Sequence, residues 1–260
     1  MSRPDYAGVL AALEAETAAL DRVVADLSVD DWATPTPATG WDVRDSVAHL
    51  AFSEDLAWSA LHEPDEFVTR REGLQDAGSD ALVGAGRTMP GAEVRAWWLG
   101  SSAAVRAALA RRAPRDRVVW MAGPMSAMSF VTARIMETWA HGQDVRDALG
   151  EPPEVSARLR HVADLGVRTR AFAYESRGLA PPTAAVRVEL QGPDGEDWTW
   201  GEAGEDRVRG PALDFCLVVT QRANPADTAL EVSGPVAEAW IAIAQAFAGP
   251  PTAQRPPRFS

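Results

Sequence analysis

Residues 127–150 combine metal-binding residue types with helical spacing. Read as a helix, this stretch has an apolar stripe and a second stripe that carries Arg134, Glu137, His141 and Asp144. Glu137 and His141 are four residues apart, so their side chains lie one above the other, and Asp144 follows one turn later. A carboxylate and an imidazole held in this way can bind a divalent metal if a third ligand comes from elsewhere in the chain.

The spacing by itself is weak evidence for a metal site. With 37 acidic residues in 260, a carboxylate stands four residues before a given histidine by chance about one time in seven. Asp45 stands in the same relation to His49, although its place in the first turn of a predicted helix suits capping better than ligation. A metal site therefore needs support from the rest of the chain.

The composition is that of a globular protein without a membrane-spanning segment. Of the 260 residues, 46% are apolar and 24% are charged, and no apolar run is long enough to cross a bilayer. The N-terminus carries acidic residues where a signal peptide would have a basic and then an apolar start. The single Cys216 excludes an internal disulfide and suits a reducing compartment. We therefore expect a cytoplasmic protein with no membrane partner.

The charge balance argues against two further classes of function. The net charge is −12, whereas phosphate contacts need clustered cations, so we expect no nucleic-acid partner. All 25 basic residues are Arg, so Schiff-base chemistry on a lysine is impossible. We expect a small-molecule substrate instead, and the oligomeric state stays open.

Hydrophobic periodicity predicts four long helices in the first half of the chain. They cover residues 5–27, 42–61, 93–112 and 127–149, with loops rich in Pro, Gly and charged residues between them. Four such helices favour an antiparallel bundle, whose core is a usual place for metal sites. If the second and fourth helices face each other, His49 can meet Glu137 and His141.

Two connections in this half differ in kind. Residues 63–90 are irregular and rich in charges and glycine, with a short helix expected over residues 67–74. Long connections in compact domains are often functional, so this one is either a lid over a site or an ordinary solvated loop. Residues 115–123 are expected to be a short connection into the fourth helix.

The second half reads as a small α+β domain. A helix over residues 154–176 leads into period-two strands at 185–190 and 198–200, joined by a turn at 193–195. A helix from Pro211 to about Arg222, a strand at 228–232, a closing helix at 236–247 and an irregular Pro-rich tail at 249–260 follow. We therefore predict an α+β chain of two domains, residues 1–152 and residues 153–260.

Three segments resemble the mycothiol-dependent maleylpyruvate isomerase family. They are GWDVRDSVAHL at 40–50, ETWAHGQDV at 137–145 and DFCLVVTQR at 214–222. That family has an N-terminal metal-binding helix bundle of the DinB-like type and a C-terminal α+β domain, and the predicted order of elements matches it over almost the whole chain. The closing segment WIAIAQAFAGPP, at 240–251, is similar to a metal-binding subgroup with no defined substrate.

The resemblance implies roles for five residues. In the family, zinc is bound by one histidine of the second helix and by a glutamate and a histidine of the fourth, which correspond to His49, Glu137 and His141. An acidic residue three positions after the second histidine is also implicated, and Asp144 matches it. An arginine of the second domain is a further functional position, and its counterpart is Arg222.

The chemistry of these residues fits a thiol cofactor. Three protein ligands leave zinc, or another divalent metal, one open position, as in catalytic sites. A thiolate is a soft anion that zinc binds and helps to form at neutral pH. Asp144 can orient His141 or accept the thiol proton. Arg222, which follows Gln221 where many relatives have Gly, can hold a substrate carboxylate across a cleft between the domains.

We therefore predict a zinc-dependent enzyme that uses a low-molecular-weight thiol, mycothiol by the resemblance, for isomerisation or thiol transfer on a small electrophile that can carry a carboxylate. Two alternatives stay open: a thiol-independent metal hydrolase, and a non-catalytic protein that binds a metal or a small molecule.

Cys216 lies in an apolar run, which predicts a buried core residue, so the reacting sulfur would be external. Arg134 reads as one half of a buried ion pair.

Overall fold

The computed structural model describes residues 5–75 and 79–257 and combines helices with small sheets. The chain divides into two compact units, Met1–Glu154 and Val155–Ser260. The predicted domain boundary after residue 152 lies two residues before this division. The mixture of helix and sheet agrees with the predicted α+β class. Within the described ranges, no helix is both long and apolar enough to span a bilayer.

Helices dominate the first unit. They are α1 Tyr6–Val24, α2 Val29–Trp32, α3 Val43–His62, α4 Pro64–Gln75, α5 Gly91–Leu109 and α6 Ala127–Leu149, with a 3-10 turn at Ser79–Leu82. Both α3 and α1 pack against α5 and α6. Their shared core includes Leu20, Val47, Leu50, Trp98 and Val145, each at most 2% exposed. The four long helices correspond to the predicted ones with ends shifted by a few residues, and the antiparallel DinB-like arrangement stays a prediction.

Capping residues fix the ends of α3 and α6. Asp42 precedes α3, as predicted, and its carboxylate accepts a hydrogen bond from the backbone N–H of Asp45 at 2.7 Å. Ser126 caps α6 in the same way and accepts from the N–H of Ser129 at 3.1 Å. Gly150 ends α6 with a left-handed φ of 70°, which glycine adopts without a steric cost. Ser126 and Gly150 thus set where α6, with its polar stripe, begins and ends.

The short connection predicted over residues 115–123 forms part of a β-hairpin, which was not predicted. β1 Arg117–Trp120 pairs antiparallel with β2 Gly123–Ser126. Each strand has four residues, which is too short for a period-two pattern to stand out in the sequence.

Much of the segment 63–90 is helical, and buried side chains hold it within the first unit. α4 is longer than the helix predicted over residues 67–74. Phe67 is fully buried, and its ring stacks on Trp120 with 5.3 Å between centroids. Val83, after the 3-10 turn, is also buried. Residues 76–78 lie outside the described residues, and the role of a lid stays a hypothesis.

The second unit is built around a four-stranded sheet. Its elements are α7 Leu159–Arg168, α8 Arg170–Glu175, β3 Arg187–Gln191, β4 Asp197–Trp200, β5 Arg207–Pro211, α9 Ala212–Val219, a 3-10 turn at Pro225–Asp227, β6 Glu231–Ser233 and α10 Pro235–Ile241. The strand order is β4-β3-β5-β6, with β3 and β5 parallel and the other neighbours antiparallel. α9 packs against α7, β3 and β5, over the buried strand residues Val188, Leu190 and Val208.

One prediction for this unit needs correction, and one strand was not predicted. The single helix predicted over residues 154–176 is two helices, because the chain leaves helical geometry at Thr169, whose hydroxyl bonds carbonyl groups one turn back. The sequence pattern does not predict β5, because RVRGP offers one buried apolar side chain, Val208, between charged residues and a Gly-Pro pair.

The closing helix is shorter than predicted. α10 ends at Ile241 and not near residue 247. The chain turns back there, and the N–H of Ala246 bonds the carbonyl of Val219 at 2.8 Å instead of continuing the helix. The tail is irregular over residues 249–257, as predicted, and residues 258–260 lie outside the described part of the chain.

Candidate metal centre

α3 and α6 place three potential metal ligands side by side. The two helices are in contact; His49 lies in the second turn of α3, while Glu137 and His141 lie on successive turns of α6. The three side chains are between 12% and 17% exposed, so the group is largely buried but accessible. One ligand atom from each residue lies within 4.8 Å of the other two. The structure thus brings the three predicted ligands together.

The distances within this group suit a divalent metal. Oε2 of Glu137 is 3.6 Å from Nε2 of His141 and 4.0 Å from Nε2 of His49. Bonds of about 2.0–2.2 Å to zinc place neighbouring ligands of a tetrahedral site roughly 3.4 Å apart, so small side-chain movements bring these atoms into place. Two imidazole nitrogens and one carboxylate oxygen are also a ligand set that zinc accepts, with one position left for a further ligand.

The surroundings of Glu137 keep its carboxylate ionised. Burial by itself raises the pKa of Glu137, but the neighbouring imidazoles of His141 and His49 and the charge of Arg134 outweigh burial and hold the pKa well below its ordinary value. Because a metal ligand must be deprotonated, this lowered pKa fits the proposed ligand.

Asp144 lies beside the second nitrogen of His141. Its side chain is fully buried, and its Oδ2 is 3.6 Å from Nδ1 of His141. Metal-binding histidines usually have a carboxylate or carbonyl partner at that nitrogen. This placement favours the orienting role expected for Asp144 over direct uptake of a thiol proton, because the carboxylate has no solvent-exposed surface.

Trp41 packs against both histidines, a contact that was not predicted from the sequence. Its ring centroid is 5.1 Å from that of His49 and 5.9 Å from that of His141, with interplanar angles of 44° and 26°. Trp41 immediately precedes Asp42, the cap of α3. Because Trp41 lies in the loop before α3, helical spacing in the sequence does not relate it to His49.

Arg134 forms the buried ion pair that the sequence predicts. Its Nη1 is 3.9 Å from Oε1 of Glu54 and donates to the hydroxyl of Ser53 at 2.6 Å, and both charged side chains are at most 3% exposed. The guanidinium also lies over the ring of Trp120, 4.9 Å from its centroid, which is a cation–π geometry. Burial raises the pKa of Glu54, although the charge of Arg134 opposes this rise.

Asp45 and Cys216, both discussed from the sequence, have partners other than the candidate metal ligands. The carboxylate of Asp45 accepts hydrogen bonds from Arg87 at 3.3 and 3.4 Å. Cys216 is fully buried, its Sγ donates to the carbonyl of Leu159, and burial raises the pKa of its thiol well above the ordinary value. The interpretation of Cys216 as a core residue is confirmed, and its thiol is unsuited to act as a nucleophile.

Arg222 follows the end of α9 instead of closing the helix. The helix ends at Val219, three residues earlier than predicted, and Gln221 adopts a left-handed φ of 60°. The N–H groups of Gln221 and Arg222 bond back to the carbonyls of Val218 and Leu217 at 3.0 and 2.7 Å. This is the Schellman pattern, in which the left-handed residue is usually glycine.

The side chain of Gln221 gives a reason for its presence at this position. Its amide nitrogen donates to the carbonyl of Ala244 at 3.1 Å, and its oxygen accepts from the hydroxyl of Thr252. These hydrogen bonds offset the cost of the left-handed conformation. Nη1 of Arg222 donates to the carbonyl of Thr220 at 2.7 Å, and the predicted role of Arg222 toward a substrate stays a prediction.

Comparison with known proteins identifies the family of the first unit. The mycothiol maleylpyruvate isomerase N-terminal domain matches residues 13–146, which include His49, Glu137, His141 and Asp144. An uncharacterized protein of Mycobacterium tuberculosis strain H37Rv and one of strain CDC 1551 are each 40% identical to this chain over 247 residues, covering 93% of this chain and 96% of each relative.

Solved structures extend the likeness to the whole fold. The crystal structure of the mycothiol-dependent maleylpyruvate isomerase superposes with a TM-score of 0.60 over 90% of this chain and 96% of that chain, at 16% identity. A variant of that enzyme with a histidine replaced by alanine gives 0.57 over 86% and 93%. At this identity the likeness establishes the fold. Because the family match spans more than half of the 260-residue chain, this protein belongs to the mycothiol maleylpyruvate isomerase family.

Proposed function

We propose that this protein is a zinc-dependent enzyme that uses mycothiol to isomerise a small electrophilic substrate or to transfer the thiol to it. The observation that carries the proposal is the convergence of His49, Glu137 and His141 within 4.8 Å. It occurs in a chain whose family is named for a mycothiol-dependent isomerase. The solved relative that bears this name supports the proposal with the same fold.

The chain's own residues would hold the metal and leave the thiol to come from outside. When bound by these three side chains, zinc would supply a Lewis-acid centre that lowers the pKa of a thiol. One carboxylate and two neutral imidazoles leave such a centre with a net positive charge, which suits an anionic sulfur. Cys216, the single cysteine, is buried, so the reacting sulfur has to be external.

We assign the recognition of a substrate carboxylate to Arg222. A planar guanidinium can bind a carboxylate through two parallel hydrogen bonds, which fixes its orientation as well as its charge. The assignment rests on the resemblance of residues 214–222 to the family.

Metal analysis of the purified protein tests the ligand set. We expect about one divalent ion per chain, and His141→Ala should lose most of it because two protein ligands hold zinc poorly. His62→Ala is the matched control, since His62 is an exposed histidine at the end of α3. Equal metal content in wild type and His141→Ala would contradict the proposed site.

Cobalt substitution tests the thiol. Addition of mycothiol to the cobalt-substituted protein should produce a thiolate-to-metal charge-transfer band that is absent in His141→Ala. A screen of small electrophiles, with and without mycothiol, should then show turnover that depends on the thiol. No spectral change at saturating mycothiol, together with thiol-independent turnover, would favour the metal hydrolase. The absence of turnover with every electrophile would favour a binding protein.

A further inference from the structure

The two candidate histidine ligands are held in place differently. His141 has the carboxylate of Asp144 3.6 Å from its Nδ1. Nδ1 of His49 is buried and has no hydrogen-bond partner among the residues that the structure describes. Since metal-binding imidazoles are usually oriented through the nitrogen that does not bind the metal, the ring of His49 needs another restraint.

Trp41 supplies a packing contact at this place. The indole centroid is 5.1 Å from the centroid of His49 and 5.9 Å from that of His141, and the two imidazole centroids are 4.5 Å apart. These distances are typical of rings in direct contact. The three rings therefore form one cluster, in which the indole packs against the ring of His49.

The loop that carries Trp41 is fixed by its own backbone. The N–H of Trp41 donates to the carbonyl of Ala38 at 2.9 Å, and the N–H and hydroxyl of Thr36 donate to the carbonyl of Trp41 at 2.8 and 3.0 Å. Gly40, at a left-handed φ of 81°, lets the chain turn between these bonds. The next residue caps α3, so the indole and the helix that carries His49 are positioned together.

We propose that Trp41 is a positioning residue of the metal centre, which orients the imidazole of His49 by packing as Asp144 orients that of His141 by its carboxylate. The proposal rests on the proposed function for the identity of the site. The orientation of the rings is measurable without a metal, so the two can fail separately.

The first test uses the imidazole signals of the metal-free protein. The chain contains four histidines, so their ring protons and nitrogens can be assigned by NMR. Wild type should show contacts between the Trp41 indole and the His49 ring. Trp41→Ala should shift or broaden the His49 signals more than those of His141. Asp144→Asn should have the opposite preference.

The second test measures metal affinity by competition with a chromophoric chelator. Loss of an outer partner of a metal ligand typically weakens binding about 10–100-fold, and we expect a loss in this range for Trp41→Ala. Trp41→Phe keeps an aromatic face and should recover most of the affinity. Trp58→Ala is the matched control, because Trp58 stacks on His62, outside the site, with 4.4 Å between centroids. It should change the His62 signals alone.

The outcomes separate the two proposals. If Trp41→Ala and Trp41→Phe bind metal as tightly as wild type and leave the His49 signals in place, the positioning role of Trp41 is wrong. If wild type takes up no metal but Trp41→Ala shifts or broadens the His49 signals as expected, the positioning role of Trp41 stands and the metal-dependent function fails. Thermal unfolding of each variant identifies a folding defect, and Trp41→Phe keeps the test valid if Trp41→Ala does not fold.

Discussion

Asp144 and His141 are one helical turn apart on α6, and the carboxylate Oδ2 lies 3.6 Å from the imidazole Nδ1. The other ring nitrogen, Nε2, lies 3.6 Å from Glu137. His141 is thus placed between two carboxylates, one that can share a metal with it and one that can fix its orientation. This arrangement makes the role of Asp144 testable apart from that of the ligands.

Asp144→Asn should weaken metal binding without abolishing it. The amide keeps the shape of the side chain but loses the charge that favours a properly oriented, basic imidazole, so we expect a loss of about 10–100-fold in affinity. Chelator competition measures the effect, and Asp197→Asn, an exposed acid on β4, is the control. A metal affinity equal to that of wild type would show that Asp144 does not support metal binding.

Glu137 should contribute to the acid sensitivity of the metal-free protein. Its folded pKa is lowered, so its stabilising contribution is present above the ordinary value of 4.5 and is lost as the pH falls through the lower folded value. The free energy of unfolding of wild type should therefore fall more steeply below pH 4.5 than that of Glu137→Gln. Urea unfolding at a series of pH values tests this, and parallel curves would show that Glu137 is not perturbed.

The buried pair Arg134 and Glu54 should behave as a coupled unit. Removing one partner of a buried pair costs about 3–5 kcal/mol, because it leaves a charge without its partner. Burial raises the pKa of Glu54, so Glu54 can take up a proton when Arg134 is replaced. Arg134 cannot lose one when Glu54 is replaced. We therefore expect Glu54→Gln to destabilise more than Arg134→Met.

The double variant, together with the two single variants and wild type, forms a double-mutant cycle. Arg134→Met with Glu54→Gln should cost less than the sum of the two single changes, with a coupling of about 0.5–3 kcal/mol. Urea unfolding of the four proteins gives this coupling directly. Additive costs would mean that the two side chains, 3.9 Å apart, do not depend on each other.

Arg222→Lys should impair substrates that carry a carboxylate. The change keeps the positive charge but removes the planar guanidinium fork. A loss of about 1.4 kcal/mol in transition-state binding lowers kcat/KM about tenfold, and we expect an effect of this size. A pair of electrophiles that differ as free acid and methyl ester provides the comparison. The metal content should stay unchanged, and equal effects on acid and ester would argue against a carboxylate contact.

The sequence predicts those parts of the site that depend on one element. Glu137, His141 and Asp144 share α6, and helical spacing relates them directly. The meeting of His49 with α6 depends on the packing of two helices that are far apart in sequence. Its prediction therefore needed both the bundle hypothesis and the family resemblance.

Features that depend on loops and tertiary bonds were beyond the sequence pattern. Trp41 reaches the two histidines because a turn and the cap of α3 place it there, and hydrophobic periodicity carries no information about such turns. Gln221 looks like a departure from glycine in the sequence. Its left-handed conformation is supported by contacts with Ala244 and Thr252, which no local pattern reveals.

The division of the chain at residue 154 has a consequence for how this protein could evolve. The three candidate ligands, together with Trp41 and Asp144, all belong to the unit Met1–Glu154, whereas Arg222 belongs to Val155–Ser260. Under the proposed function, in which Arg222 recognises the substrate, substitutions in the second unit would alter which molecules are accepted and leave the candidate metal ligands unchanged. New substrates then become reachable through ordinary point mutations in the C-terminal half, one at a time.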